Sequence, residues 1–298
     1  MRVSIVIPSW NSESLLRRNL PKVLEAKKIK SNRINEIIIV DDASQDKTVT
    51  FLAKEYRDKI RLFRHRTNRG FASTVNMGAR MARSSLICLL NTDVIPEKDF
   101  LKKVIPHFKN NQVFAVGLHE KGFGPAKGGY ENGYIKHSPL EENDEVQHTF
   151  WVSGGSGVFR RKVWLELGGM DDRLLRPFYW EDVDLGYRAQ KRAYFMLWEP
   201  GAMVVHKHES IINETNFKKK YLEIVKERNQ LLVIWKNITS RSMFRKHLEA
   251  MFQRTVSSPG YLRVILAALL RLIVVRQGRK REIKQSIVSD ESVFSRFK

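Results

Sequence analysis

The sequence predicts an α/β protein with a mostly parallel central sheet, helices on both faces of the sheet, and a helical extension after it. Two observations support this prediction. Over the first hundred residues, short and continuous apolar runs alternate with helical patterns, which is typical of βαβ units whose strands are buried on both faces. Beyond Asn213 the hydrophobic pattern is helical almost to the end of the chain.

The strands and helices of the first part of the chain are predicted in alternation. The predicted strands are 3–7, 37–40, 60–63, 86–90 and 113–118. The predicted helices are 12–28, 45–56, 71–82 and 97–108. Because ligands bind beyond the carboxyl ends of the strands in such sheets, the residues that follow these strands are candidate site residues.

The middle of the chain departs from this alternation. Residues 122–133 contain five glycines and residues 141–145 are acidic and polar, so we expect a long mobile excursion there. Structure resumes at Thr149, with helices over 163–167 and from Glu181, strands over 194–198 and 203–205, and helices over 217–237, 241–256 and 261–277. The predicted regions are an α/β domain over 1–213, a helical region over 214–277, and a flexible, polar, basic tail over 278–298.

The basic charge of the protein is concentrated near its end. The 298 residues carry a net charge of +21, of which the last 83 carry +13 and the first 215 carry +8. Such a charge attracts nucleic acid, anionic membrane or phosphorylated small molecules. The apolar segment over 261–275, with Arg263, Arg271 and Arg276 around it, is typical of a helix at a membrane interface. The same helices can instead cover the α/β domain or form a dimer contact.

Composition excludes a disordered protein and indicates the cellular compartment in which the protein lies. Hydrophobic content of 42% excludes a disordered chain. Cys88 is the single cysteine, so we expect no internal disulfide and a reducing compartment. We expect that the first eight residues are not a signal peptide, because their apolar run is short and Pro8 ends it. No apolar run reaches the roughly 20 residues of a spanning helix. We therefore expect a cytoplasmic protein that is peripheral at the membrane.

Carboxylates follow two of the predicted strands and begin a late helix. Asp41 and Asp42 follow the second strand, Asp93 follows the fourth, and Glu181, Asp182 and Asp184 begin the helix. A single such group is often only a helix cap or a turn. Three groups at one sheet edge indicate a binding or catalytic site.

An ordered set of motifs carries these carboxylates. The motifs are VSIVIPSWN (3–11), IIVDDASQD (38–46), NRGFA (68–72), LLNTD (89–93), SGG (153–155), LGGMD (167–171), WEDVDL (180–185) and VVH (204–206). Over residues 1–210 the set resembles the inverting nucleotide-sugar glycosyltransferases of family 2, and most of all their rhamnosyltransferase-like branch. The resemblance implies the GT-A fold.

The resemblance also implies where the donor binds. Asp42 would accept a hydrogen bond from the imide of uracil or thymine, while Pro8, Ser9 and Asn11 would line the same pocket through backbone contacts. Arg69 and Asn76 would lie near the diphosphate or the sugar.

A divalent cation, Mg²⁺ or Mn²⁺, is expected beside the donor diphosphate. A metal ion stabilises the negative charge on a leaving diphosphate, and hard cations prefer oxygen ligands such as Asp93. The resemblance adds His206 as a second ligand. Asn91 stands at the first position of what is often Asp-x-Asp, so a neutral amide weakens the site there.

The resemblance assigns deprotonation of the acceptor hydroxyl to Asp182, with Glu181 in support. Because the helix N-terminus favours a charged carboxylate, we expect a lowered pKa for Asp182. The other residues expected on the acceptor side are Gly154, Gly155, Trp180 and Asp184. Trp151, Trp180 and Trp198 either stack on sugars or pack in the core.

These features predict an enzyme that transfers a sugar from a dTDP- or UDP-sugar to a hydroxyl of a glycan or lipid-linked glycan. The alternatives are a basic nucleic-acid-binding protein without catalysis and a nucleotidyltransferase on a similar sheet. The sequence contains no recognised nucleic-acid module, and residues 8–20 lack a glycine- and lysine-rich triphosphate loop. We therefore expect no nucleic-acid partner, and the oligomeric state is left open.

Overall fold

The computed structural model describes residues 1–206 and 218–297. Its first elements are β1 (Val3–Ser9), α1 (Glu13–Lys28), β2 (Ile34–Asp41), α2 (Thr48–Glu55), β3 (Arg61–Arg64), α3 (Phe71–Met81), β4 (Leu86–Leu90), β5 (Val94–Pro96), α4 (Val104–His107) and β6 (Val113–Glu120). They are followed by β7 (Ala126–Glu131), β8 (Tyr134–Pro139), β9 (Gln147–Thr149), β10 (Ser156–Arg160), α5 (Arg161–Leu167), α6 (Glu181–Gln190) and β11 (Phe195–His206). The C-terminal helices are α7 (Lys219–Asn237), α8 (Arg241–Ser257), α9 (Leu262–Leu269), α10 (Leu272–Gln285) and α11 (Asp290–Ser295).

The central sheet has the strand order β3-β2-β1-β4-β10-β6-β11-β5, and β9 pairs with β11. The half formed by β3, β2, β1 and β4 is parallel, as is the β6–β11 pair. In contrast, β10 is antiparallel to both of its neighbours, and β5 and β9 are antiparallel to β11. The α/β prediction is confirmed, but the sheet is mixed rather than mostly parallel, because the short strands β5, β9 and β10 pair antiparallel with their neighbours.

Apolar side chains cover both faces of the sheet. On one face, Leu16 and Leu20 of α1 and Phe51 of α2 pack on alternate residues of β1 and β2. On the other face, α3, α5 and α6 pack through Val75, Val163 and Leu185 among others. The prediction of helices on both faces is therefore confirmed.

The expected mobile excursion is wrong for residues 126–139, which form the β7–β8 hairpin. Asn132 and Gly133 make its turn with φ of 49° and 79°, the left-handed conformation that an Asn-Gly turn supplies. A Cβ on Gly128 would lie 2.3 Å from a ring carbon of Phe150. These glycines therefore serve a turn and close packing rather than mobility.

Other boundaries differ from the expectations. The predicted helix over 97–108 is only α4, the strands over 194–198 and 203–205 are joined in β11, and the helix over 261–277 is divided between α9 and α10. The predicted domain boundary at residue 213 and the helix start at Phe217 lie outside the described residues.

The residues expected to be a flexible tail are helical and packed. Val293 and Phe294 of α11 lie in the same apolar core as Phe150 and Tyr187. The buried Asp290 accepts hydrogen bonds from the Tyr187 hydroxyl and the Lys191 ammonium, each at 2.5 Å. The free energy gained by burying the apolar side chains of α11 therefore outweighs the preference of its polar residues for solvent.

The C-terminal helices pack on the α/β domain through one face. Leu231 to Ile234 of α7 share a core with Tyr187 of α6 and with Ile135 of the hairpin. The possibility that these helices cover the α/β domain is therefore realised. No described helix has both the length and the apolar character needed to cross a bilayer.

Candidate active site

Several of the predicted site residues lie at the carboxyl ends of β1, β2 and β4. Ser9, at the end of β1, pairs with Asp41, at the end of β2, and β4 lies on the other side of β1. The backbone N–H of Asn91, just after β4, donates to the carbonyl of Gly155 at 2.9 Å. This bond joins the end of β4 to the start of β10.

Asp42 holds the loop that leads into α3. Its two carboxylate oxygens accept the backbone N–H groups of Arg69 and Gly70, each at 2.7 Å. Gly70 has φ of +82°, a conformation that L side chains rarely adopt. A carboxylate has about four acceptor positions, so these two bonds do not exhaust the capacity of Asp42 to accept hydrogen bonds.

The end of β1 lies against the loop after β2. The backbone N–H of Asn11 donates to Ser44 Oγ, and Asn11 Oδ1 accepts from Gln45 N, both at 2.8 Å. The hydroxyl of Ser9 and Oδ1 of the buried Asp41 have no hydrogen-bond partner among the described residues. Asp41, a strand-end carboxylate, was not selected from the sequence as a site residue.

Asn76 lies away from the role expected for it. Its side chain is 3% exposed. The amide donates to the carbonyl of Met170 at 2.8 Å and accepts the Met170 N–H at 3.0 Å. Asn76 therefore holds the turn before Asp171. The side chain of Arg69, the other residue expected near the diphosphate or sugar, is exposed.

The two predicted metal ligands lie side by side. Strand β5 pairs with the end of β11, opposing Val94 to His206. This pairing brings Asp93 Oδ1 to 3.2 Å from His206 Nε2. The other ring nitrogen, Nδ1, lies 2.9 Å from Glu120 Oε2. Burial opposes the charged imidazole, but the bonds to Asp93 and Glu120 outweigh it and raise the pKa of His206.

This pair fits a divalent cation that is held partly by substrate. A carboxylate oxygen and an imidazole nitrogen are suitable donors, and a second carboxylate on the far ring nitrogen is the usual way to orient a metal-binding histidine. In the parts of the chain that the structure describes, no set of three or more metal-binding side chains is assembled. Glu120 was missed in the sequence, although it too ends a strand, β6.

Asp182 lies at the start of α6 beside the glycine pair. Its Oδ1 accepts the backbone N–H of Gly154 at 3.2 Å. A Cβ on Gly154 would lie 2.6 Å from Met170 Cε and 2.9 Å from Asp182 Oδ1. A Cβ on Gly155 would lie 2.6 Å from Asn91 Nδ2. A side chain at either position would therefore displace the neighbouring side chains of Met170, Asp182 or Asn91.

The pKa values at this helix start differ from the expectation. Burial raises the pKa of Asp182 to about 7, against the lowering effect of the Gly154 N–H. Burial and the charge of Asp182 raise the pKa of Glu181 to about 8. Loss of hydration thus outweighs the field of the helix N-terminus at Asp182.

The turn before Asp182 has an unusual backbone. Tyr179 and Trp180 both have φ of 76°, which is strained for aromatic residues. Asn229 of α7 donates to the carbonyls of Leu175, Phe178 and Tyr179 at 2.7 to 3.0 Å. The C-terminal helices therefore hold this turn.

Asp184 does not face an acceptor, contrary to the expectation. Its side chain is fully buried. The carboxylate accepts from Arg188 Nε at 2.8 Å and from Asn237 Nδ2 at 2.7 Å, and it lies 2.7 Å from Lys236 Nζ. All of these partners are protein groups, so Asp184 fixes α6 against α7.

The sequence matches known proteins along much of its length. A family model described as "Glycosyl transferase family 2" matches residues 4–168. An uncharacterized glycosyltransferase of Haemophilus influenzae is 23% identical over 239 residues, 76% of this chain and 76% of that protein. The O-antigen chain rhamnosyltransferase RfbN of Salmonella typhimurium is 23% identical over 219 residues, 70% of this chain and 67% of that protein.

The fold is also found among solved structures. The crystal structure of GalNAc-T7 with UDP, GalNAc and Mn²⁺ aligns with a TM-score of 0.65 at 16% identity, over 88% of this chain and 57% of that chain. This chain thus spans little more than half of that structure, and the likeness concerns the GT-A fold. Because the family model matches more than half of its residues, the chain belongs to glycosyl transferase family 2 and is a glycosyltransferase.

Proposed function

We propose that this glycosyltransferase moves a sugar from a UDP- or dTDP-sugar to a hydroxyl of a glycan or lipid-linked glycan, with inversion, in cell-envelope polysaccharide synthesis. The link between Asp182 and the turn that carries Asp93 supports the proposal most. Gly154 donates to Asp182, and the next residue, Gly155, accepts from Asn91, two residues before Asp93. A base and a leaving-group site in one cleft require such proximity.

Asp182 is the proposed general base. It would accept the proton of the acceptor hydroxyl as that oxygen forms a bond to the anomeric carbon and the bond from this carbon to the diphosphate breaks. A single displacement of this kind inverts the anomeric configuration. A pKa of about 7 suits a base that works near neutral pH. Glu181, Gly154, Gly155 and Trp180 would line the acceptor side.

Asp93 and His206 would hold Mg²⁺ or Mn²⁺, with Glu120 orienting the imidazole. Such a cation, when bound, neutralises the charge that develops on the leaving diphosphate. The GalNAc-T7 structure contains UDP and Mn²⁺, which supports this role. Asn91 would contribute an amide without charge.

Asp42 would accept a hydrogen bond from the imide of uracil or thymine. Its two backbone bonds fix the carboxylate in one orientation, which favours recognition of one edge of a base. Pro8, Ser9 and Asn11 would line the same pocket, and the exposed Arg69 would reach the diphosphate.

Release of nucleoside diphosphate tests the proposal. The protein is incubated with a panel of UDP- and dTDP-sugars, Mn²⁺, and free or lipid-linked glycan acceptors. We expect acceptor-dependent release, its loss on chelation with EDTA, and an inverted anomeric coupling in the proton NMR spectrum of the product. A product that retains the donor configuration, or no release with any donor and acceptor, contradicts the proposal.

A surface of the C-terminal helices supports membrane association. Exposed apolar residues lie along α8 and α9 and into α10, most of them three or four positions apart within a helix. This apolar patch comprises Leu248, Phe252, Val256, Leu262, Leu266, Leu269, Leu270 and Ile273. The same helices carry much of the basic surplus. Exposed apolar stripes flanked by cations favour an anionic bilayer. The proposed location is the cytoplasmic face of the membrane.

A further inference from the structure

A cavity of about 400 Å³ lies next to the Asp93–His206 pair. We call it the aromatic pocket and define it by Glu120, Phe123, His137, Trp151, Trp198 and His206, which are among its lining residues. Its volume falls within the range of small-ligand sites. Residues of β6 and β11 and of the β7–β8 hairpin contribute to its lining.

The aromatic pocket is connected to both halves of the proposed site. His206 lies in its wall and contacts Asp93. On the other side, the ring of His137 packs edge-on against Trp151 at 5.7 Å and against Trp180 at 5.6 Å. Trp180 precedes Glu181 and Asp182. The pocket therefore borders one proposed metal ligand, His206, and its lining residue His137 contacts the residue that precedes Glu181.

Two buried donors in the pocket wall lack partners. Within residues 1–206 and 218–297, neither Trp151 Nε1 nor Trp198 Nε1 has a hydrogen-bond partner. Both indole nitrogens are buried, and the side chain of Trp198 is 2% exposed. Buried donors without partners are rare because they cost stability. Two of them in one pocket wall point to a ligand that carries oxygen acceptors.

The charge of the wall indicates that this ligand is neutral. The protein has 53 Lys and Arg residues, yet none of the described residues that line the pocket is Lys or Arg. A phosphate or carboxylate ligand needs cations in its site. A pyranose ring has no charge, several hydroxyl acceptors, and C–H faces that pack on aromatic rings.

We propose that the aromatic pocket binds one neutral sugar ring of a substrate, and that Trp151 and Trp198 donate their indole N–H groups to its hydroxyls. This proposal rests on the proposed glycosyltransfer. The ring belongs either to the donor sugar or to the terminal unit of the acceptor. The two sources share this chemistry, and the experiment separates them.

The experiment compares Trp151→Phe and Trp198→Phe with the wild type by isothermal titration calorimetry. Both variants keep an aromatic ring and lose the N–H donor. Trp235→Phe is the matched control, because its indole N–H donates to His247 within the C-terminal region, at 2.9 Å. The donor arm titrates UDP- and dTDP-hexoses against UDP and dTDP. The acceptor arm titrates methyl hexopyranosides in the presence of UDP.

We expect each pocket variant to weaken sugar-dependent binding by about 2- to 10-fold, the effect of one lost hydrogen bond, with binding of UDP and dTDP unchanged. A loss in the donor arm assigns the ring to the donor, and a loss in the acceptor arm assigns it to the acceptor. The proposal is overturned if the wild type shows no sugar-dependent binding, or if neither variant weakens it more than Trp235→Phe does. Because both arms measure binding without turnover, a missing transferase activity contradicts the proposed function separately.

Discussion

Asp182, at the start of α6, is half-buried and has a raised pKa. Its carboxylate has one backbone donor, Gly154, and little hydration. Asp184, two residues later, has three partners, and its pKa is lowered against burial by Arg188 and Lys236. The environment therefore gives two carboxylates of the same helical turn different properties, with a raised pKa at the proposed base Asp182 and a lowered pKa at Asp184.

The raised pKa of Asp182 predicts the pH dependence of the reaction. Asp182 accepts a proton only when ionised, so kcat/KM should fall tenfold for each unit of pH well below about 7 and level off above it. Glu181 titrates close by, and the profile then reports the pair. The measurement is kcat/KM between pH 5.5 and 9, with donor affinity measured at each pH as a control. A flat profile across this range contradicts the assignment.

The close packing of Gly154 predicts that a larger side chain there would displace Asp182, the proposed base. In Gly154→Ala, the new Cβ would meet Asp182 Oδ1 at 2.9 Å and Met170 Cε at 2.6 Å. We expect kcat to fall at least about tenfold, as small displacements of catalytic groups do, with a destabilisation of about 1–3 kcal/mol from overpacking.

Gly260→Ala is the matched control for that variant, because a Cβ on Gly260 has no atom within 4 Å. Its kcat and thermal unfolding should equal those of the wild type. Equal kcat values for the two alanine variants would show that close contact at Gly154 does not position the base.

At the scale of elements, α6 and α7 are joined by buried charges. Lys236 Nζ lies 2.7 Å from both Asp171 and Asp184, and its side chain is fully buried. Burial raises the pKa of Asp171, but Lys236 outweighs it and holds that pKa well below its usual range. The charges of α7 therefore stabilise the element that carries Asp182.

Removing this cation should strongly destabilise the protein. Lys236→Met leaves Asp171 without its cation, and we expect the free energy of unfolding to fall by about 3–5 kcal/mol. Arg245→Met is the control: its pair with Glu249 is 3.8 Å long and exposed, so a change within about 0.5 kcal/mol is expected. Urea denaturation measures both variants. Similar losses for the two variants would contradict the role of the buried pairs.

Elements with a strong local pattern were predictable from the sequence. The buried strands β1, β2 and β4 and the helices α1, α3 and α8 lie within a few residues of their predicted positions. Strands β5, β9 and β10 were not found, because each is short and is defined by pairing with a distant strand. The β7–β8 hairpin was also missed, since its glycines were interpreted as mobility.

The site residues also divide into those that a local sequence pattern indicates and those whose environment depends on distant parts of the chain. Asp93 and His206 were selected by motif, and β5–β11 pairing brings them together. The burial of Asp184 and the support from Asn229 depend on α7, more than thirty residues further along the chain. No local pattern around residue 184 indicates which distant helix will cover it.

At the scale of the whole molecule, the basic charge and the apolar patch lie on the same C-terminal helices. These helices bury one face against the α/β domain and expose the other. Leu270 is 89% exposed and Ile273 is 74% exposed. The proposed substrate-binding site and the proposed membrane surface therefore belong to one packed unit.

This arrangement predicts binding to anionic vesicles. The protein should sediment with phosphatidylglycerol vesicles, bind phosphatidylcholine vesicles weakly, and dissociate as salt rises. Leu270→Glu combined with Ile273→Glu should reduce binding at least about tenfold. Ile287→Glu, at an isoleucine that is 75% exposed outside the patch, should change it little. Equal binding of all three proteins would contradict the patch as the membrane surface.

The most direct test of the central claim is acceptor-dependent release of nucleoside diphosphate by Asp182→Asn, measured beside donor affinity. The amide keeps an oxygen that accepts the Gly154 N–H but takes up no proton at neutral pH. We predict that turnover falls by at least about a hundredfold, while the dissociation constant of the nucleotide sugar stays within about twofold of the wild type. Turnover close to that of the wild type would contradict Asp182 as the base.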